Sequence, residues 1–232
     1  MSIRQTGEVL YACSSGSADP AQRAALGHLV TAVRRDAPSV DVRDTPVEML
    51  ASTEDSAPVR VAVPLTLTEG TDVAAALAVA RRGDPGLSVA APLGPDWSLA
   101  EICVQRLIEA GGRKEDTIVL GVAGGQGAES LQGYQRAARL VSAVWGGPVH
   151  IGVVAGPGTA LTDAVDLAHK DGGRVVVASY VLTPGRYADL LRHCGADLVT
   201  APLLDGGTPD PRIVALVVTR FHQALGVGAP SL

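Results

Sequence analysis

The sequence predicts an α/β fold of two tandem domains, each a parallel sheet flanked by helices, with a cleft between them. Three observations carry that reading. First, the chain repeats itself in order. Leu29-Val30-Thr31-Ala32-Val33 returns as Leu140-Val141-Ser142-Ala143-Val144, Leu67-Thr68-Glu69-Gly70 as Leu182-Thr183-Pro184-Gly185, and Ala91-Pro92-Leu93 as Ala201-Pro202-Leu203. The shifts are 111 (29 to 140), 115 (67 to 182) and 110 (91 to 201), a drift that loop insertions produce and a period too long for a solenoid. Second, short apolar runs alternate with amphipathic stretches, the pattern of βαβ units. Third, the chain is 47% hydrophobic but only 3% aromatic, so its core is Ala, Val and Leu, which suit strands covered by helices on both faces. At 232 residues there is room for two small domains, 1–111 and 117–232.

In the first half, Glu8 to Cys13 is an apolar run stopped by Ser14-Ser15-Gly16-Ser17, a strand followed by a loop. Asp19-Pro20 starts a helix, because Asp caps free N–H groups and Pro fits the first helical position. Ala25, Leu29, Ala32 and Val33 keep one apolar face to about Arg35. Val40 to Arg43 reads as a second strand, Pro46 to Ala51 as a helical turn and Ser52 to Pro58 as a polar loop. Val59 to Leu65 is nearly all apolar and β-branched, so it is a buried strand. It opens into Thr66 to Asp72, and a helix follows to about Arg82. Leu87 to Ala91 is the fourth strand, Leu99 to Ala110 a periodic helix, and Gly111 to Asp116 the linker.

The second half replays this order. Strands are predicted at Thr117 to Val122, Val149 to Val154, Arg174 to Val181 and Asp197 to Thr200, with a glycine-rich loop from Ala123 to Ala128. Helices are predicted at Leu131 to Val144, Ala160 to His169, Tyr187 to His193 and Arg212 to Leu225. In open parallel sheets ligands sit beyond the carboxyl ends of the strands. In the first half that places Ser14 to Ala18, Leu67 to Asp72 and Leu93 to Asp96 at the mouth.

Composition excludes several classes. A net charge of −5 disfavours nucleic acid, which calls for a basic face. No run approaches the roughly 20 apolar residues of a membrane span, and Met1 to Glu8 lacks the apolar stretch of a signal peptide. Cys13, Cys103 and Cys194 are odd in number and widely spaced, so neither a disulfide framework nor a zinc ribbon is indicated, and a cytoplasmic location is expected. Cys13 reads as a small buried residue. Gly121 to Gly127 and Gly152 to Gly158 do not match the dinucleotide fingerprint, so no nucleotide cofactor is expected.

The strand-end loops carry a resemblance. Ser14-Ser15-Gly16-Ser17-Ala18-Asp19-Pro20 resembles the Ala-His-Gly-Ser-Arg-Asp-Pro that ends the first strand in the sirohydrochlorin chelatase family. Pro64-Leu65-Thr66-Leu67-Thr68-Glu69-Gly70-Thr71-Asp72 fits that family's third-strand pattern of Pro-Leu-apolar-Leu, two residues, Gly, one residue and His. The resemblance covers nearly the whole chain. It implies a chelatase-like fold, with divalent metal insertion into, or handling of, a tetrapyrrole of siroheme or cobalamin synthesis. Co, Fe or Ni would be a substrate. A monomer is implied, since the repeat supplies both sides of the cleft.

The departures fall on the chemistry. The family's two metal-site histidines fall on Ser15 and Asp72, and the corresponding second-half positions are about Gly125 and Tyr187. The chain's histidines, His28, His150, His169, His193 and His222, all lie outside the first-half strand-end loops. Imidazole both binds such ions and titrates near neutral pH, whereas serine does neither well. Asp72 is the remaining candidate base and ligand, with Glu69 as a second ligand; its other reading is a solvated helix cap. Ser14, Gly16, Ser17, Gly70 and Thr71 are candidate substrate-binding residues through hydroxyls and N–H groups, or else parts of ordinary strand–helix turns. Arg186 occupies the repeat position of Thr71 and can pair with a substrate carboxylate, or be a solvated surface arginine. Two alternatives stay open: a non-catalytic tetrapyrrole- or metal-binding relative, and a scaffold repurposed for another anionic small molecule.

Overall fold

The computed structural model describes residues 7–16, 19–50, 57–69, 72–125 and 127–226. The first half contains β1 (Glu8–Ser14), α1 (Pro20–Asp36), β2 (Asp41–Pro46), α2 (Val47–Leu50), β3 (Val59–Pro64), α3 (Asp72–Gly83), β4 (Leu87–Val89) and α4 (Trp97–Glu109). The second contains β5 (Thr117–Gly124), α5 (Gly127–Trp145), β6 (Val149–Ala155), α6 (Leu161–Lys170), β7 (Val175–Tyr180), α7 (Arg186–Arg192), β8 (Leu198–Val199) and α8 (Pro211–Ala224). Much of the polar loop read over Ser52 to Pro58 lies outside the described residues.

The predicted parallel α/β architecture is present, and the repeat extends to the hydrogen-bond ladders. The sheets run β2-β1-β3-β4 and β6-β5-β7-β8. Val9 pairs with Asp41 and Arg60, as Ile118 pairs with Val149 and Val176. Arg60 pairs in turn with Leu87, and Val176 with Leu198. A register is this well fixed where both faces are buried, because a slip of one residue would turn every side chain to the other face. All six residues of β7 are buried.

Local chemistry explains the helix starts. Asp19 accepts from the N–H groups of Ala21 (2.8 Å) and Gln22 (3.3 Å), with Pro20 opening the helix. Asp210 and Pro211 repeat the device at α8, and Asp96 caps α4 through Ser98 N–H at 3.0 Å. The glycine-rich loop predicted from Ala123 to Ala128 is shorter than expected. β5 runs through Gly124 and α5 begins at Gly127, because Gly124 takes a φ of +95° that ends the strand without a steric penalty.

The repeat boundary and the packing boundary differ. α4 packs on β7 of the second half, and α8 packs on β3 and α1 of the first. Each half's last helix therefore covers the other half's sheet. Leu99, Ile102 and Leu107 of α4 share one continuous core with Ile118, Tyr180 and Phe221. The sequence division at 111–117 marks the repeat, while the buried faces interlock across it. Nδ1 of His28 lies 2.9 Å from the carbonyl oxygen of Gly206, and Arg106 donates to Asp205 at 2.9 Å, two further ties between the halves.

Candidate functional site

A cavity of about 800 Å³ opens between the carboxyl ends of the two sheets. The turns after β1, β3, β5, β6 and β7 form its walls, as the topology requires of an open parallel sheet. Its size falls within the range of small-molecule sites.

Ser15 and Asp72 both line this cavity. Ser15 is exposed just past β1, and Asp72 is the first residue of α3, where a carboxylate is favoured by the helix dipole. Arg186 lines the opposite wall as the first residue of α7. The preceding Gly185 seats against the first half: a Cβ there would stand 2.9 Å from Asp19 Oδ2. That close approach brings Arg186 to the cleft from the second half. Asp72 and Arg186 are the only charged side chains lining the cavity among the described residues, and no histidine lines it.

Other sequence candidates are placed differently. Ser14 is the last residue of β1, half-buried opposite Pro46, and does not line the cavity; its neighbour Ser15 does. Gly16 lines it, but its N–H points at the Glu48 carboxylate, 3.3 Å from Oε2. Together with the Asp19 cap, this puts the protein's own carboxylates where an incoming anion was expected. Glu69 does not join Asp72. Its carbonyl accepts from Ser130 Oγ at 2.9 Å, which holds the loop against α5, and the residue lines a neighbouring groove instead. Asp72 and Glu69 thus line different cavities, and among the described residues no three His, Cys, Asp or Glu side chains are grouped to hold an ion. Ser17, Gly70 and Thr71 lie outside the described residues.

Sequence reasoning reached Tyr187 as the repeat counterpart of Asp72 but missed Tyr134 and Tyr180. Three of the chain's four, Tyr134, Tyr180 and Tyr187, line the cavity. Tyr134 and Tyr180 meet edge to face with centroids 6.5 Å apart. Tyr134 Oη donates to the Gly124 carbonyl at 3.0 Å, while the Tyr180 hydroxyl is buried with no hydrogen-bond partner. Burial pushes both hydroxyls above the usual phenol range, Tyr180 well above it, so they stay protonated and act as donors. The one available signal was rarity. In a chain with so few aromatics, a run of tyrosines in the second half is unusual. Cys13 is buried, as expected, and burial pushes its thiol up to about 12.

The comparisons with known proteins bear on the fold. No family model and no curated protein matches the sequence. Solved structures do match. SirB from Bacillus subtilis, determined with Fe³⁺, is 15% identical, with a TM-score of 0.73 over 94% of each chain. CbiX, described as the terminal enzyme for siroheme biosynthesis in denitrifying bacteria, is 20% identical, with a TM-score of 0.62 over 97% of this chain and 100% of that one. DR2241 from Deinococcus radiodurans, a multi-domain protein with structural similarity to chelatases, is 16% identical, with a TM-score of 0.64. That alignment covers 94% of this chain and 55% of DR2241. The class defined by this architecture is the two-domain chelatase-like α/β fold. SirB and CbiX are two particular proteins of that class to which this chain is similar. No helix among the described residues is long and apolar enough to cross a membrane.

Proposed function

We propose that the cleft binds an anionic tetrapyrrole and that this chain is a weak metal-inserting enzyme or none at all. The observation that carries this reading is the composition of the cleft wall among the described residues: one carboxylate, one guanidinium, three tyrosines and no imidazole. Insertion of a divalent ion displaces two pyrrole protons, so the site must loosely hold the ion and accept protons. Among the described residues Asp72 is the one lining carboxylate that can take a proton, and no second carboxylate lines the cavity to share an ion with it. Tyr134 and Tyr180, held protonated by burial, do not take up those protons.

Binding makes different demands. Tyrosine rings offer flat apolar surface, and Arg186 offers a fork of donors to a carboxylate. None of these depends on the absent histidines. The chelatase-like fold supports the choice of a tetrapyrrole over other anions.

The test is a metal-insertion assay of the native chain and the Ser15→His/Asp72→His double variant with Co²⁺, Fe²⁺ and Ni²⁺ and sirohydrochlorin. Loss of a single acid–base group typically costs about 10²–10⁴-fold, so the native chain should be slower than a histidine-bearing chelatase by at least that much. The double variant should gain activity. A native chain as fast as such an enzyme would overturn the reading.

A further inference from the structure

A second cavity, about 460 Å³, lies on another side of the boundary between the halves and shares no lining residue with the main cleft. The first half contributes Glu69 and the turn from Ala91 to Pro95; the second contributes Arg136, Arg139 and Leu140 from α5 and Arg220 from α8. Three guanidiniums thus face one carboxylate, in a chain whose net charge is −5.

The three arginines differ in their ties. Arg220 is fixed: it donates to the Pro92 carbonyl at 2.8 Å, the Leu93 carbonyl at 3.0 Å and Asp96 Oδ2 at 3.0 Å. Its charge is largely answered by Asp96 behind it. Arg136 and Arg139 are exposed and one helical turn apart, and neither has a hydrogen-bond or ion-pair partner among the described residues. Like charges at this spacing repel each other. Arg136 and Arg139 therefore leave unanswered positive charge in a concave surface beside the paired Arg220. Concave walls raise the local potential and favour a counter-ion. Guanidinium forks suit oxyanions, which accept two parallel hydrogen bonds.

We infer that this groove is a binding site for a small molecule carrying two or more oxyanion groups, phosphate or carboxylate, held by Arg136 and Arg139 against the fixed Arg220. Glu69 opposes the anion from the first-half side and limits its affinity. The site is independent of the tetrapyrrole reading of the main cleft.

Calorimetric titration with inorganic pyrophosphate and, separately, citrate tests it, in about 0.15 M chloride so that loose screening-sensitive attraction is suppressed. Pyrophosphate alone binding identifies a phosphate ligand, and citrate alone a carboxylate ligand; either supports the site. The Arg136→Ala/Arg139→Ala variant should bind at least about tenfold more weakly, since each charge-assisted contact is worth a factor of that order. Both residues are exposed and alanine suits a helix, so its thermal unfolding should match the native chain. Glu69→Gln should tighten binding, an outcome that a merely structural role would not give. Binding of neither anion, equal affinity in the double-arginine variant, or an equal loss on Arg186→Ala in the main cleft would overturn the proposal.

Discussion

Arg220 in α8 of the second half donates to Asp96 Oδ2 at 3.0 Å, while Asp96 Oδ1 accepts from Ser98 N–H to cap α4 of the first half. One carboxylate thereby starts the helix that covers the second sheet and holds the helix that covers the first. The guanidinium is only 12% exposed and the carboxylate 24%.

Arg220→Ala should therefore loosen both exchanged helices together. Removing the cation strands the Pro92 and Leu93 carbonyls and unpairs Asp96, a loss of about 2–3 kcal/mol for a partly buried hydrogen-bonded charge. For a chain of this size that lowers the thermal midpoint by roughly 4–12 °C. Calorimetry should show a single transition, because the halves share one core.

Gly124→Ala should be more damaging than Gly146→Ala, although both glycines have positive φ. A Cβ on Gly124 would stand 1.7 Å from the Ala155 carbonyl oxygen, whereas one on Gly146 meets only the end of Lys114 at 3.7 Å. The second change costs about 1 kcal/mol, the ordinary strain of a left-handed residue, and the first several times that. Urea midpoints of the two variants check the ranking.

Cys13 and Cys103 should resist alkylation in the folded chain. Burial pushes both thiols up to about 12, so at pH 8 only about one molecule in 10⁴ carries either thiolate, and neither sulfur is open to solvent. Mass spectrometry after iodoacetamide should find both unmodified until denaturant is added.

Acid should destabilise the chain in part through Asp210, whose carboxyl is held below the usual range chiefly by its hydrogen bond from Arg212. A depressed folded value means the stabilisation is present above the unfolded carboxyl pKa, about 3.9, and is lost as pH falls through the lower folded value. Urea midpoints should be level above about pH 5 and fall below pH 4. Asp210→Asn should flatten that fall.

The elements were legible because each has a local cause. Asp19-Pro20 and Asp210-Pro211 mark helix starts, and the β-branched run from Val59 marks a buried strand. The exchange of α4 and α8 was not legible. An apolar face says that a helix is covered, not which sheet covers it. At the site, motif spacing for Ser15 and Asp72, and the repeat for Arg186, pointed to one cavity, because each follows a strand. Spacing did not reveal that Glu69 lines the other groove, with its carbonyl held by the Ser130 hydroxyl, nor that the Gly16 N–H meets a carboxylate 32 residues away. Tyr134 and Tyr180 were invisible to it, since one lies within a helix and the other within a strand, and neither shares a motif with the loops.

The most direct test of the tetrapyrrole cleft is a titration of the native chain and the Arg186→Ala variant with metal-free sirohydrochlorin, followed by visible absorption. The native chain should give a saturable spectral shift without added metal, and Arg186→Ala should weaken binding by about tenfold or more, the worth of one charge-assisted pair. No saturable shift with the native chain would contradict a tetrapyrrole cleft outright, and equal affinity in the variant would remove Arg186 from it.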